Sequence, residues 1–200
     1  PPTSCFVGSV RMCIRDSSDP ERGWNWYSQA DQGGGVIGAL GTHAFDMLAW
    51  LIGPVASVQA LNSVSIQQRP HPDGGLAPVD ASDVSLVQAS LQWQGQPELP
   101  VPAQVCLSSV SRNGRGFCLD ITGSDGSLML SSSNQKDYVH GFELQHAALG
   151  ESFRSVPADD DLAFDQTWSD GRIAPVARVL GWWAQSIRSC LLYTSPSPRD

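Results

Sequence analysis

The sequence predicts an α+β domain: a largely antiparallel sheet of five to six strands with helices on one face. Three observations carry this expectation. An apolar run over residues 32–54 opens with three glycines and has the length of a helix. Segments of period-two alternation follow it, joined by short turns. A second amphipathic stretch, residues 173–187, comes last. Strands joined by short turns pair antiparallel, because parallel neighbours need a crossover of a dozen or more residues. Helix, strands, helix is then an α+β layering.

The ends read differently from the middle. Residues 10–17 (VRMCIRDS) and 191–200 (LLYTSPSPRD) resemble translated sequencing-adapter read-through. Neither carries amphipathic periodicity, and the second is rich in Pro and Ser, a composition that stays disordered. The expected organisation is a non-native flank over 1–17, one domain over 18–189 and a non-native tail over 190–200.

Residues 19–31 (DPERGWNWYSQAD) form a turn-rich approach. Its rings, Trp24 and Trp26, either pack against the following helix or line a pocket. The helix is expected over 34–51, stopped by Gly53 and Pro54. From Val36 to Ile52 its polar side chains are Thr42, His43 and Asp46, at i, i+1 and i+4 and so on one side. A helix apolar nearly all round is a buried helix, and burying His and Asp is costly unless they are paired or used.

Strands are expected at 55–67, 81–94, 103–111, 117–122 and 127–131, with a further one possible at 139–147. Residues 68–80 (QRPHPDGGLAPVD) read as loop, and Gly123-Ser-Asp-Gly126 as a hairpin turn. Residues 157–170 are acidic and loop-like. The last helix places Val176, Leu180, Trp183 and Ile187 on one face.

Composition narrows the function. A net charge of −8 and a single lysine, Lys136, leave no basic stripe for nucleic acid. No apolar run reaches the roughly 20 residues of a membrane helix without a polar break. The cysteines are odd in number, irregular in spacing and lack a CxxC, which fits free thiols in a reducing, cytoplasmic compartment. His43 and Asp46 supply two metal ligands where three or more must converge. No G-x-S-x-G marks a serine hydrolase.

Gly33, Gly35 and Gly38 satisfy G-x-G-x-x-G by spacing. That fingerprint requires a buried strand before it and an acidic residue about 20 positions on. Residues 27–32 are polar, and from Met47 to Pro72 there is no Asp or Glu. The glycines are better read as letting the backbone approach something closely at a helix start, with Gly35 facing a ligand oxygen.

These residues carry a resemblance. GGGVIGALGTHAFDMLAWLIGPVASVQA, residues 33–60, resembles the start of the C-terminal domain in the glucose-fructose oxidoreductase / inositol dehydrogenase / MocA family. The shared pieces are Gly33-Gly34-Gly35, Gly41-x-His43-x-x-Asp46, Trp50, Gly53, and the strand from Val55 to Val58. Ile121, Gly123 and Gly126 continue the match. The resemblance implies a two-domain enzyme whose Rossmann domain binds NAD or NADP. The antiparallel-sheet domain contacts a sugar-like substrate and forms a homo-oligomer through its open face. It implies a catalytic His43; beside it, Thr42, Asp46, Gly35 and Trp26 are the candidate substrate contacts. Histidine titrates near neutrality and can take the hydroxyl proton that must leave as hydride moves to nicotinamide. A satisfied structural His43/Asp46 pair is the other reading of the same spacing. Two departures stand out. No Rossmann domain or candidate lysine is present, so this chain alone is expected to bind no cofactor and to be inactive. The position four before His43, an aspartate in the family, is Ala39. A non-catalytic binding or assembly protein is therefore the alternative.

Overall fold

The helix at the centre of the fold is built on a four-residue repeat. Val36, Leu40, Ala44, Leu48 and Ile52 are each at most 4% exposed, and side chains four apart share one helix face. In the computed structural model, which describes residues 5–13, 18–112, 114 and 116–189, this ridge runs through two helical forms. Ile37–Gly41 is π-helical, and α1, Thr42–Leu51, is α-helical. As expected, the chain leaves the helix just ahead of Gly53, whose φ is +146°.

The strands are β1 (Cys5–Cys13), β2 (Val55–Ser63), β3 (Gln68–Pro70), β4 (Leu76–Pro78), β5 (Val84–Trp93) and β6 (Gln96–Ser108). They continue with β7 (Phe117–Gly123), β8 (Gly126–Ser132), β9 (Glu143–Ala148) and β10 (Arg154–Val156); helix α2 is Ile173–Arg188. Among the described residues, eight strands form one sheet in the order β10-β9-β8-β7-β1-β6-β5-β2, and β3 and β4 form a separate hairpin. Every neighbouring pair is antiparallel except β1 and β6. The α+β class and the largely antiparallel sheet are as the sequence predicts.

The ridge of the helix packs on one sheet face. Val87, Ala89 and Leu91 of β5 stand opposite Val105, Ala103 and Val101 of β6, and all six join the ridge in one core. Among the described residues, the opposite face is uncovered over β2 and β5. There Leu61, Leu86 and Cys106 lie in register, next to a row of Gln59, Gln88 and Gln104. Leu61 is 69% exposed.

Four sequence expectations change. The domain boundary expected at residue 18 falls after β1, which joins the same sheet between β6 and β7 with Val10 fully buried. Its neighbours, not its own periodicity, define it. Residues 68–80 are not all loop, because Gln68 and Pro70 pair with Pro78 and Leu76. The strand expected from 103 starts at Gln96 and contains Pro97, Pro100 and Pro102. Proline lacks a donor and is confined to edges, and β1 first meets β6 at Gln104, so this half of β6 has a neighbour on one side. Finally, α1 is not buried all round. Thr42, His43 and Asp46 are exposed, and Trp50 is 49% exposed. The tail expected over 190–200 lies outside the described residues.

Helix α2 starts from a short ion pair. The Asp170 carboxylate accepts from Arg172 Nε (2.9 Å), Nη2 (2.6 Å) and backbone N (3.0 Å). These bonds hold its pKa down at about 2.

Candidate functional site

Residues 26–36 wrap the start of the helix, and their glycines explain how. Gly35 has φ +78°, and a Cβ there would meet the Ser82 carbonyl oxygen at 2.5 Å. A Cβ on Gly34 would lie 2.6 Å from the carbonyls of Trp26, Tyr27 and Gln29, and one on Gly38 would collide with the Gly33 carbonyl. The close approach expected of these glycines is therefore to the chain's own backbone. The amide hydrogens are also used internally: Gly34 donates to Gln29 O (2.9 Å) and Val36 to Ser82 O (2.8 Å). Gly35 is buried, which removes it from the surface a substrate can reach in this arrangement.

The π-helical turn comes directly before the candidate histidine. Its i→i+5 bonding inserts a residue into the helix, a distortion frequent at functional sites. Thr42 Oγ1 donates back to Gly38 O at 3.2 Å, across this turn. Thr42, His43 and Asp46 then emerge together on the side of α1 away from the sheet. Sequence spacing put them on one side; the structure makes that side accessible, not buried. Ala39, one turn earlier, is half-buried. Trp26 lies on the short turn Trp26–Ser28, 54% exposed and edge-on to Tyr27. Trp24 is fixed by its indole N–H on Pro78 O (2.9 Å) and by contact with His71.

Sequence reasoning missed a second group of residues beneath this turn. A cavity of about 440 Å³ is lined by Gly34, Ile37, Gly38, Asn62, Asp80 and Ser82, among others. Asp83 is 5% exposed and accepts from the Ser65 and Ile66 amides at 2.8–2.9 Å. Arg69, 6% exposed, donates to Asp19 O at 2.8 Å; burial lowers its pKa, with Arg22 acting in the same direction. Arg69 lies in β3 and Asp83 in the turn before β5, and no local spacing links them. Among the described residues, no cluster of three or more His, Cys, Asp or Glu is placed to hold a metal ion.

Tyr27 joins this group through a hydrogen bond to Ser109, and burial raises its pKa above the usual value near 10. A raised folded-state value means the folded protein keeps its proton longer than the unfolded chain. Its contribution to stability is complete below pH 10 and is lost as pH rises through the folded-state value. Tyr27→Phe is expected to flatten the alkaline fall in melting temperature, and to cost about 0.5–1.5 kcal/mol at neutral pH for the Ser109 bond. Thermal melts across pH, with phenolate absorbance as the titration signal, check both.

The sequence model of the GFO/IDH/MocA C-terminal domain matches residues 6–129. An uncharacterized oxidoreductase of Synechocystis sp. is 44% identical over 180 residues, 89% of this chain and 47% of that protein. Levoglucosan dehydrogenase of Pseudarthrobacter phenanthrenivorans is 35% identical over 160 residues, 70% of this chain and 38% of that protein. This chain spans less than half the length of either relative. A solved levoglucosan dehydrogenase in complex with NADH and L-sorbose shares the fold at TM-score 0.71 and 22% identity, over 96% of this chain and 52% of that one.

Proposed function

Because the chain belongs to the GFO/IDH/MocA family through its C-terminal domain, we propose that it supplies the substrate side of an NAD(P)-dependent oxidoreductase acting on a sugar, a polyol or a related hydroxy compound. The observation that carries this is the accessible Thr42–His43–Asp46 side of α1, set directly after a π-helical turn. NAD or NADP, when bound, supplies the hydride acceptor. The glycine turn of this chain does not fit a dinucleotide, so its seat belongs to the part of the longer protein outside this chain. His43 takes the hydroxyl proton as the carbinol carbon becomes a carbonyl. Asp46, three residues on, and Thr42 beside it contact the substrate or orient the ring, and Trp26 offers a flat apolar surface to a sugar ring. The uncovered sheet face around Leu61 and Leu86 pairs with a second copy. Cys106 and Cys118, present as thiols, suit the reducing cytoplasm.

The test uses the full-length protein and this chain side by side. With NAD or NADP and a panel of sugars and polyols, nicotinamide absorbance should rise for the full-length protein and stay flat for this chain. Full-length protein that binds NADH but reduces neither cofactor with any hydroxy compound would overturn the catalytic reading. Ala39 favours a second reading, a binding or assembly protein, because it removes the carboxylate that the resemblance places four residues before His43. Saturable sugar binding without turnover selects that reading.

A further inference from the structure

The hairpin of β3 and β4 stands apart from the main sheet and holds one segment of chain, residues 19–24. Arg69 of β3 donates from Nη1 to Asp19 O at 2.8 Å and to Arg22 O at 3.4 Å. Trp24 is held from both strands: its backbone N donates to Pro70 O at 2.7 Å and its indole Nε1 to Pro78 O at 2.9 Å. Arg69 is 6% exposed, and a guanidinium is costly to bury unless its donors are used. Its two bonds here fix the path of residues 19–22.

That path leads into Trp26. Asn25 Oδ1 accepts from Tyr27 N at 2.9 Å and closes the turn Trp26–Ser28. Just past β4, Asp80 N and Ala81 N donate to Ser28 O at 3.2 and 3.3 Å, and Asp80 Oδ1 accepts from Ala30 N at 2.8 Å. The turn is therefore held at both ends, while the Trp26 ring between them is 54% exposed. The Trp26 carbonyl crowds the glycines that open the helix carrying His43, since a Cβ on Gly34 would lie 2.6 Å from it. An indole set in place before the ligand arrives binds with less ordering cost, and its flat face suits a ring better than an open chain.

We propose that Arg69 is a positioning residue: through residues 19–25 it sets where Trp26 stands, and so the preference for ring-shaped over acyclic hydroxy compounds. The proposal rests on the reading of Trp26 as a wall of the sugar site. Arg69 itself touches no substrate.

The test compares the full-length protein with Arg69→Met, Arg69→Lys, Trp26→Ala and the double variant Arg69→Met/Trp26→Ala. Methionine fills the buried space without a charge, a kind of replacement that protein interiors often accept. The probes are the best cyclic substrate among glucose, levoglucosan and L-sorbose and the best acyclic one among glycerol, xylitol and sorbitol. Arg69→Met and Trp26→Ala should each raise KM for the cyclic sugar about three- to tenfold, with kcat within about twofold. KM for the acyclic polyol and for the nicotinamide cofactor should not move. The double variant should be no worse than Trp26→Ala, as for two residues acting by one route, and Arg69→Lys, which keeps a donor for Asp19 O, should restore most of the loss. Tryptophan ¹⁵N labelling of this chain gives a readout free of turnover. The Trp26 indole signal, assigned by its loss in Trp26→Phe, should shift in Arg69→Met while that of Trp93 stays. If Arg69→Met does not fold, Trp24→Phe, which loses the bond to Pro78 O and keeps an aromatic ring, carries the same expectations. A parent-like KM for the cyclic sugar in Arg69→Met, or losses that add in the double variant, overturns the proposal. If Trp26→Ala leaves that KM unchanged while Arg69→Met still shifts the indole signal, the sugar-wall reading of Trp26 has failed, and the ring preference falls with it. A parent that turns over none of the probes counts against the catalytic reading alone, and calorimetric Kd values for the same sugars in the same variants then decide the role of Arg69.

Discussion

His43→Ala in the full-length protein is expected to lower kcat by about 10²–10⁴-fold, the range for removing a positioned general base. That corresponds to about 3–5 kcal/mol of barrier. The ring is exposed on α1, outside the buried ridge. Its removal should therefore leave the melting temperature nearly unchanged, since surface substitutions usually fall within about 0.5 kcal/mol. The loss belongs in kcat more than in KM, because proton removal is made only in the transition state. Steady-state kinetics on parent and variant, with any hydroxy substrate the parent accepts, decide the matter. An unchanged kcat removes His43 from the chemistry and leaves it as a surface residue of the helix.

Leu48→Ala is expected to have the largest effect on stability. Leu48 is fully buried in the core shared by the helix, β5 and β6. Truncating a buried leucine costs about 2–5 kcal/mol, through lost transfer energy and the cavity left behind. That is a large fraction of the whole stability of a domain this size. Leu51, three residues on and 39% exposed, is the control, and Leu51→Ala should cost about 1 kcal/mol or less. Urea unfolding should show the Leu48→Ala midpoint well below the parent at equal slope. A loss no greater than that of Leu51→Ala would mean that α1 does not pack on the sheet as described.

The two cases show which parts of the architecture were legible in the sequence. The helix was, because the ridge from Val36 to Ile52 and the stop at Gly53 are local features. So was β5, where Ser85, Val87, Ala89 and Leu91 alternate with Leu86, Gln88 and Ser90 and the first set is the buried one. What could not be read is set by partners. β1 has no alternation of its own and is a strand because β6 and β7 flank it. The first half of β6 was hidden by its prolines. The exposure of His43 and Asp46 was misjudged, since an apolar helix in isolation does not say how many of its sides the domain covers. Asp83, in the turn before β5, and Arg69, in β3, are buried polar residues brought near by tertiary structure, and such a grouping has no period to detect.

The prolines of β6 carry one more consequence. Beside Pro100 and Pro102 the ladder toward β1 is interrupted: β1 pairs with β6 only from Gln104, while its Cys5–Val7 stay paired to β7. Unpaired ladder groups invite strand addition, the route by which β-proteins aggregate. The prolines have no amide hydrogen to offer at their own positions. Growth by edge pairing is left to the ends of the sheet. One of these, β10, is three residues long. The other, β2, is a nine-residue strand exposed along its length and without a single charge, so colloidal stability of the protein depends most on what happens at β2.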